Sequence, residues 1–239
     1  MNILVCNDDG IDAYGIELLA SKLIKYGNVY VISPDRPRSA ASHSIVLHKP
    51  IMFSRVDKIP GAICYKTSGV PADCVRLAAG ALDVKFDIVF SGCNNGLNLG
   101  TDIIYSGTVA GAREAVIQGI PGIAISTDAD CFKIVENELD ELLSLIFDKR
   151  LYSNDYVLNI NFPVKGFEAS KGFKLCRQGD KIFTCKYKLE DGLYRDESYP
   201  YIFDKNSDTD VYLADLGYIT LVPLKIDQTN LEALKNLKL

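Results

Sequence analysis

Over roughly the first 125 residues, short, largely apolar runs alternate with longer segments in which apolar residues recur every three or four positions. Ile3–Cys6, Val29–Ser33, Phe86–Phe90 and Ile120–Ile125 are the short runs and predict strands. Ile16–Ile24, Ala72–Leu82 and Val109–Ile117 carry the helical spacing. Strands that are apolar on both faces need helices on both sides, which is the signature of a parallel sheet built from right-handed βαβ units. Ile134–Phe147 predicts an amphipathic helix, with Ile134, Val135, Leu139, Leu142, Leu143 and Ile146 on one side. Tyr156–Phe162 predicts a further strand, stopped by Pro163.

Beyond that proline the texture changes. Phe173–Arg177, Lys181–Leu189 and Leu193–Tyr199 are short, partly alternating and rich in Tyr, Lys and Asp, with Glu190-Asp191-Gly192 as a turn. This pattern predicts antiparallel hairpin material. It has little apolar content of its own and needs another surface, for which a neighbouring subunit is one candidate. Asp210–Leu216 predicts a helix, Tyr218–Pro223 a strand and Leu231–Leu239 a terminal helix.

A chain of 239 residues can bury a large core. Its net charge of -5 gives no sign of the broad basic surface that long nucleic acids require, although a local pocket for one anion is compatible with it. Seven cysteines without a CxxC pair argue against a disulfide scaffold or zinc knuckle, and read as reduced core residues of a cytoplasmic protein. No basic leader precedes the first strand, and no segment reaches the roughly 20 apolar residues that span a bilayer.

Candidate chemistry gathers where the strands should end. The first strand runs into Asn7-Asp8-Asp9-Gly10. Adjacent aspartates repel one another and are costly to desolvate unless something positive lies between them, and a divalent oxygen-preferring metal resolves that conflict. The second cluster, Pro34 to Ser44, holds Arg36, Arg38, Ser39, Ser42 and His43, a set suited to a phosphate or to an ordinary basic loop. His43 is one of two histidines, either a buried hydrogen-bonding group or a proton shuttle. Asp73 falls in the first turn of its helix, where capping explains it. The fourth cluster runs from Ser91 through Asn94, Asn95, Asn98 and Asp102 to Tyr105, and offers neutral amide oxygens. It is followed by Ser106-Gly107-Thr108 entering the Val109 helix, an anion site by virtue of its free N–H groups. Neither the phosphate-loop pattern nor GxGxxG is present, which removes the dinucleotide-dependent oxidoreductase reading.

Taken together these motifs resemble the survival protein SurE family, metal-dependent 5'/3'-nucleotidases. The resemblance covers nearly the whole chain: Ile3 to Ile11, Pro34-Asp35-Arg36, Arg38-Ser39, Ser42-His43-Ser44, Pro71-Ala72-Asp73-Cys74, Ser91-Gly92-Cys93-Asn94, Asn98-Leu99-Gly100 and Tyr105 to Val109. Leu158 to Pro163 and Gly217 to Leu224 carry it more weakly. It implies a Rossmann-like three-layer catalytic core over 1–165 with a mostly parallel sheet. Residues 166–239 would form an extension whose hairpin and terminal helix serve a homodimer or homotetramer, with one strand returning to the core.

The resemblance implies one Mg2+ or Mn2+ per subunit on Asp8, Asp9, Ser39 and Asn94, of which Asp8, Asp9 and Asn94 are also catalytic. The expected reaction is hydrolysis of nucleoside 5'- and 3'-monophosphates, with terminal-phosphate removal from short polyphosphate in some members. Asn7, Ser106, Gly107 and Thr108 would hold the phosphate, and His43 would assist the leaving group or support the shell behind it. A covalent aspartyl-phosphate route ranks below a metal-activated water, because the metal already claims both carboxylates. The rival reading is a nucleotide-binding regulatory module without turnover. Val70, Cys6 and Asp180-Lys181 depart from the usual family pattern; the first two leave every expected ligand in place.

Overall fold

The computed structural model describes residues 1–238, apart from the side chains of 201–203. The central strands are β1 (Asn2–Cys6), β2 (Asn28–Pro34), β4 (Ala62–Thr67), β5 (Ile88–Asn95), β6 (Gly122–Thr127) and β7 (Val157–Asn161), all mutually parallel. β3 (Phe53–Val56) closes one edge antiparallel to β4, while β13 (Ile219–Leu224) lies antiparallel to β7 and carries β8 (Phe173–Leu175) beside it. The nine-stranded order is β3-β4-β2-β1-β5-β6-β7-β13-β8. The chain therefore winds one way from β1 to β2 and β4, then returns across β1 to build β5, β6 and β7. The reversal falls between β1 and β5, and a crevice opens at the carboxyl ends of strands at such a point.

Alternation along β1 sorts its side chains between two cores. Ile3 and Val5 join Ile16, Leu19 and Leu23 of α1 (Tyr14–Leu23) and Leu139, Leu142 and Leu143 of α5 (Phe132–Lys149). Leu4 and Cys6 face the other way, against Cys74, Val75 and Ala78 of α2 (Pro71–Ala81) and Ala115 of α4 (Gly107–Ile117). Burial of apolar area on both faces is the main source of stability for such a sheet. Between β5 and α4 lies the one-turn α3 (Asp102–Tyr105).

Several elements differ from the sequence expectation. β3 and β4 were not anticipated: β3 is a half-buried edge strand containing Arg55, and β4, between β3 and β2, is a half-buried strand whose short Ala62–Tyr65 run is followed by Lys66, with Phe53 stacked on Tyr65 at 4.8 Å. The expected strand over 181–189 is divided into β9 (Lys181–Phe183) and β10 (Tyr187–Glu190). β10 pairs with β11 (Leu193–Asp196), and β9 with β12 (Pro200–Phe203). At the break, hydroxyls replace backbone acceptors: Tyr199 N donates to Thr184 Oγ1 and Lys186 N to Ser198 Oγ, each at 3.1 Å. The hairpin tip is the two-residue Asp191-Gly192 turn, both at positive φ (50° and 79°), as a type I′ connection demands. α6 (Asp210–Asp215) matches expectation, whereas α7 (Leu231–Asn236) stops early because Leu237 is extended; Leu239 lies outside the described residues.

Gly15 ties this scaffold to the crevice. A Cβ at that position would overlap the backbone carbonyl of Cys93 in β5, the strand that delivers Asn94. Gly15→Ala is expected to lower stability by about 1–3 kcal/mol, the usual scale of overpacking. Urea unfolding measures it, and an unchanged midpoint would contradict this account of the α1–β5 contact.

Candidate active site

The chain leaves the sheet at Asn7, whose side chain is spent on the backbone architecture. Its Nδ2 donates to Gly10 O at 2.9 Å and its Oδ1 accepts from Ser33 Oγ at 2.5 Å, joining the ends of β1 and β2. Asn7 is fully buried and does not line the crevice. Asp8 and Asp9 follow, and they do line it. Asp8 is only 5% exposed, sits against the start of α4 with Gly107 in close approach, and accepts a hydrogen bond from Thr108 Oγ1. Asp9 is half-buried, with Oδ2 held by Asn95 N–H at 3.0 Å.

Burial pushes the Asp8 carboxyl up to about 6; the Asp9 charge adds to the effect, while the Thr108 hydroxyl opposes it. The protein thus keeps a carboxylate where its charge is poorly solvated and beside a second acid. A bound cation would reverse that penalty.

Asn94, Ser39, Ala40, Asn95, Asn98, Asp102, Tyr105 and Ser106 complete the walls of a cavity of about 240 Å³. A bulge between Ser91 and Asn94 shifts the β5–β6 register and re-aims the end of β5. Asn94 Nδ2 donates to Gly96 O at 2.7 Å, which fixes the carboxamide; among the described residues nothing donates to its Oδ1. Ser39 is exposed on the opposite wall, in a loop held by Arg38 N donating to Asp8 O at 2.7 Å and by Ser42 N donating to Tyr105 O at 2.9 Å. Ser106 Oγ caps α4 by accepting from Val109 N at 3.0 Å. Of the expected phosphate contacts, Ser106 lines the cavity, while Gly107 and Thr108 stand directly behind it against Asp8.

His43 is elsewhere. Its Nε2 lies 2.9 Å from Glu114 Oε2 on α4, and Arg76 and Gln118 meet the other oxygen of that carboxylate. His43 is not among the cavity walls. Asp73 behaves as the cap expected of it: its carboxylate accepts Val70 N at 3.1 Å and also Val46 N at 3.2 Å.

Sequence reasoning did not single out Glu114 or the support beneath Asn98. Asn98 N donates to Asn161 Oδ1 at 2.8 Å, its Nδ2 donates to Ser126 Oγ at 2.8 Å, and its carbonyl accepts from Asn159 and Asn161. Two asparagines inside the otherwise apolar β7 were the available signal, since buried amides persist only where they are bonded. Asp102, paired with Lys181 at 2.5 Å, gave no such signal.

The donor set suits a hard divalent cation: two carboxylates, one carboxamide oxygen with no donor and one hydroxyl, around a single cavity. Among the described residues no group of three or more His, Cys, Asp or Glu is placed to hold a metal ion, so any ion held here depends on neutral oxygens as well as acids. Sheet order and crevice together define a Rossmann-like α/β protein with an acid pair at its switch point. The chain belongs to the Survival protein SurE family, whose model matches residues 3–184.

A 5'-nucleotidase SurE of Clostridium botulinum (strain 657 / Type Ba4) is 41% identical over 245 residues, covering 98% of this chain and 97% of that protein. The Alaska E43 / Type E3 counterpart is 38% identical over 250 residues, covering 100% and 98%. The crystal structure of the SurE protein from Aquifex aeolicus superposes with a TM-score of 0.81 at 31% identity, covering 100% of this chain and 98% of that one.

In the metal-free protein the Asp8 carboxyl is expected to titrate near 6. Because the folded value is raised, its contribution weakens stability as pH climbs toward that value and is constant above it. Thr108→Val removes the opposing hydrogen bond and should move the titration higher still. Carboxyl NMR titration of both proteins checks this, and a normal Asp8 value would refute the burial argument.

Proposed function

We propose that the chain is a metal-dependent phosphomonoesterase that hydrolyses nucleoside 5'- and 3'-monophosphates to nucleoside and phosphate. The observation that carries the reading is the nearly buried Asp8 carboxylate beside Asp9, in one cavity with the start of α4. The activity printed for the Clostridium botulinum relatives, 5'-nucleotidase, supports it across nearly the full length of both chains.

Asp8, Asp9, Ser39 and Asn94 would hold one Mg2+ or Mn2+. When bound, such an ion neutralises phosphoryl charge and acidifies a coordinated water. The chain's own residues do the remaining work. Asp8 and Asp9 must be ionised, and the Thr108 hydroxyl favours the ionised Asp8. Ser106, Gly107 and Thr108 open α4, and the positive end of a helix favours a phosphate group as its charge shifts. Asn94 and Asn98 present fixed amides from the end of β5 and from the loop that follows it. Asn7 contributes by holding Asp8 at the end of β1. His43, bonded to Glu114, braces the Ser39 loop against α4 instead of meeting substrate.

A homodimer or homotetramer belongs to the same proposal. The β10–β11 arm carries Leu189, Leu193 and Tyr194 at 58%, 75% and 72% exposure, a costly surface for an isolated chain.

Phosphate release from a panel of nucleoside monophosphates, first with EDTA and then with Mg2+ or Mn2+ restored, tests the reading. Release is expected only with metal. Asp8→Asn should fold and lose at least about two orders of magnitude in turnover, the scale of removing one principal electrostatic contact. Nucleotide binding by folded wild-type protein without any metal-dependent release would replace the hydrolase with a binding module.

A further inference from the structure

Asp210 is a buried carboxylate for which the proposed chemistry has no use. It opens α6, is fully inaccessible, and among the described residues takes part in no ion pair. Its Oδ2 accepts from Gly100 N at 3.0 Å, and its Oδ1 accepts from Gly179 N and Val211 N, each at 2.8 Å. Gly100 belongs to the loop between Asn98 and Asp102, both walls of the candidate active site. Gly179 belongs to the root of the C-terminal arm, two residues before β9. One carboxylate therefore ties a catalytic-cavity loop, the arm and α6 together.

The surrounding contacts repeat the connection. Gln178 Nε2 donates to Gly100 O at 2.9 Å, Thr101 Oγ1 donates to Lys181 O, and Lys181 Nζ meets Asp102 Oδ2 at 2.5 Å. Gly100 sits at φ +55°, and a Cβ there would lie 2.9 Å from Lys181 Cβ and 3.0 Å from both Lys181 N and Val211 Cγ2. Loop and arm root approach too closely for a side chain at position 100 without a shift. The Asp102 side chain takes its orientation from a residue of the arm.

Resting on the nucleotidase reading above, we propose that Asp210 is a positioning residue for the active-site loop, setting the wall formed by Asp102 and Tyr105 without touching substrate. The ligands Asp8, Asp9 and Asn94 hang from β1 and β5 and do not depend on it. Loss of the tie should therefore weaken nucleotide recognition and leave metal recognition intact.

Asp210→Asn keeps the shape but turns one acceptor into an N–H donor facing another N–H. The expected result is a KM for nucleoside monophosphate raised at least about tenfold, the scale of one charge-assisted hydrogen bond, with the metal concentration for half-activation unchanged. Leu213→Ala, a buried α6 residue with no side-chain hydrogen bond to the loop, is the control. It should lower the melting temperature with KM unchanged, since partial unfolding reduces kcat alone. An unaltered KM in folded Asp210→Asn, or an equal rise in Leu213→Ala, would overturn the proposal.

Amide exchange supplies a readout independent of activity. In Asp210→Asn the Gly100 and Gly179 amides should exchange faster while β1 and β5 keep wild-type protection. If wild-type protein releases no phosphate, the nucleotidase reading fails, and exchange at Gly100 still decides whether Asp210 holds the loop. Wild-type exchange at that amide refutes it.

Discussion

A carboxylate kept nearly out of water beside a second carboxylate is the constraint around which the molecule is arranged. Asp8 cannot retreat: it terminates a strand packed on both faces, its own carbonyl receives Arg38 N, and Gly107 closes over it. Its raised proton affinity records the missing positive charge. α4 supplies a partial answer, and the other walls supply oxygens that a cation could use. α4 contributes the Thr108 hydroxyl and its positive end, β5 contributes an amide oxygen with no donor, and the loop after β2 contributes a hydroxyl. None of these carries formal charge, so the missing positive charge falls to a cation, which in turn suits the site to an anionic substrate.

The fold makes this possible by topology. Because the strand order reverses between β1 and β5, the loops following them diverge and leave a crevice that neither helix layer covers. The walls are then stiffened from outside the crevice. Asn159 and Asn161 of β7 fasten Asn98, Glu114 fastens His43, and Asp73 fastens Val46. Each of these supports is a buried or half-buried polar group hydrogen-bonded to the segment it holds, although Asn159 Oδ1 itself has no partner among the described residues. Such groups fix geometry more than they add stability.

Legibility in the sequence followed the strength of the local signal. The parallel core was readable because β1 and the first parts of β5 and β6 are apolar runs, and Asp8-Asp9 because adjacent acids at a strand end have few structural uses. The edge strand β3 and its neighbour β4 were not, since their half-buried positions accept Lys, Arg and Tyr and leave at most a four-residue apolar stretch. The hairpin turn was readable from Asp191-Gly192, yet the break at Thr184 was not, because a hydroxyl that replaces a backbone acceptor looks like any other strand threonine. Contacts across long separations were the least visible. Asp102 meets Lys181 and His43 meets Glu114 only once the sheet has formed.

The division between core and extension, clear in composition, is less clear in space. β13 pairs with β7 over five residues and β8 is added beyond it, so the extension completes the sheet that holds the crevice. The arm leaves from the same region, where Gly179 and Lys181 bond to α6 and to the cavity loop. An arm that exposes large apolar side chains at its tip gains from a partner surface. Its root lies against the loop that shapes the cavity. Root and loop are joined there by the Lys181–Asp102 ion pair and by the close approach of Gly100 to Lys181.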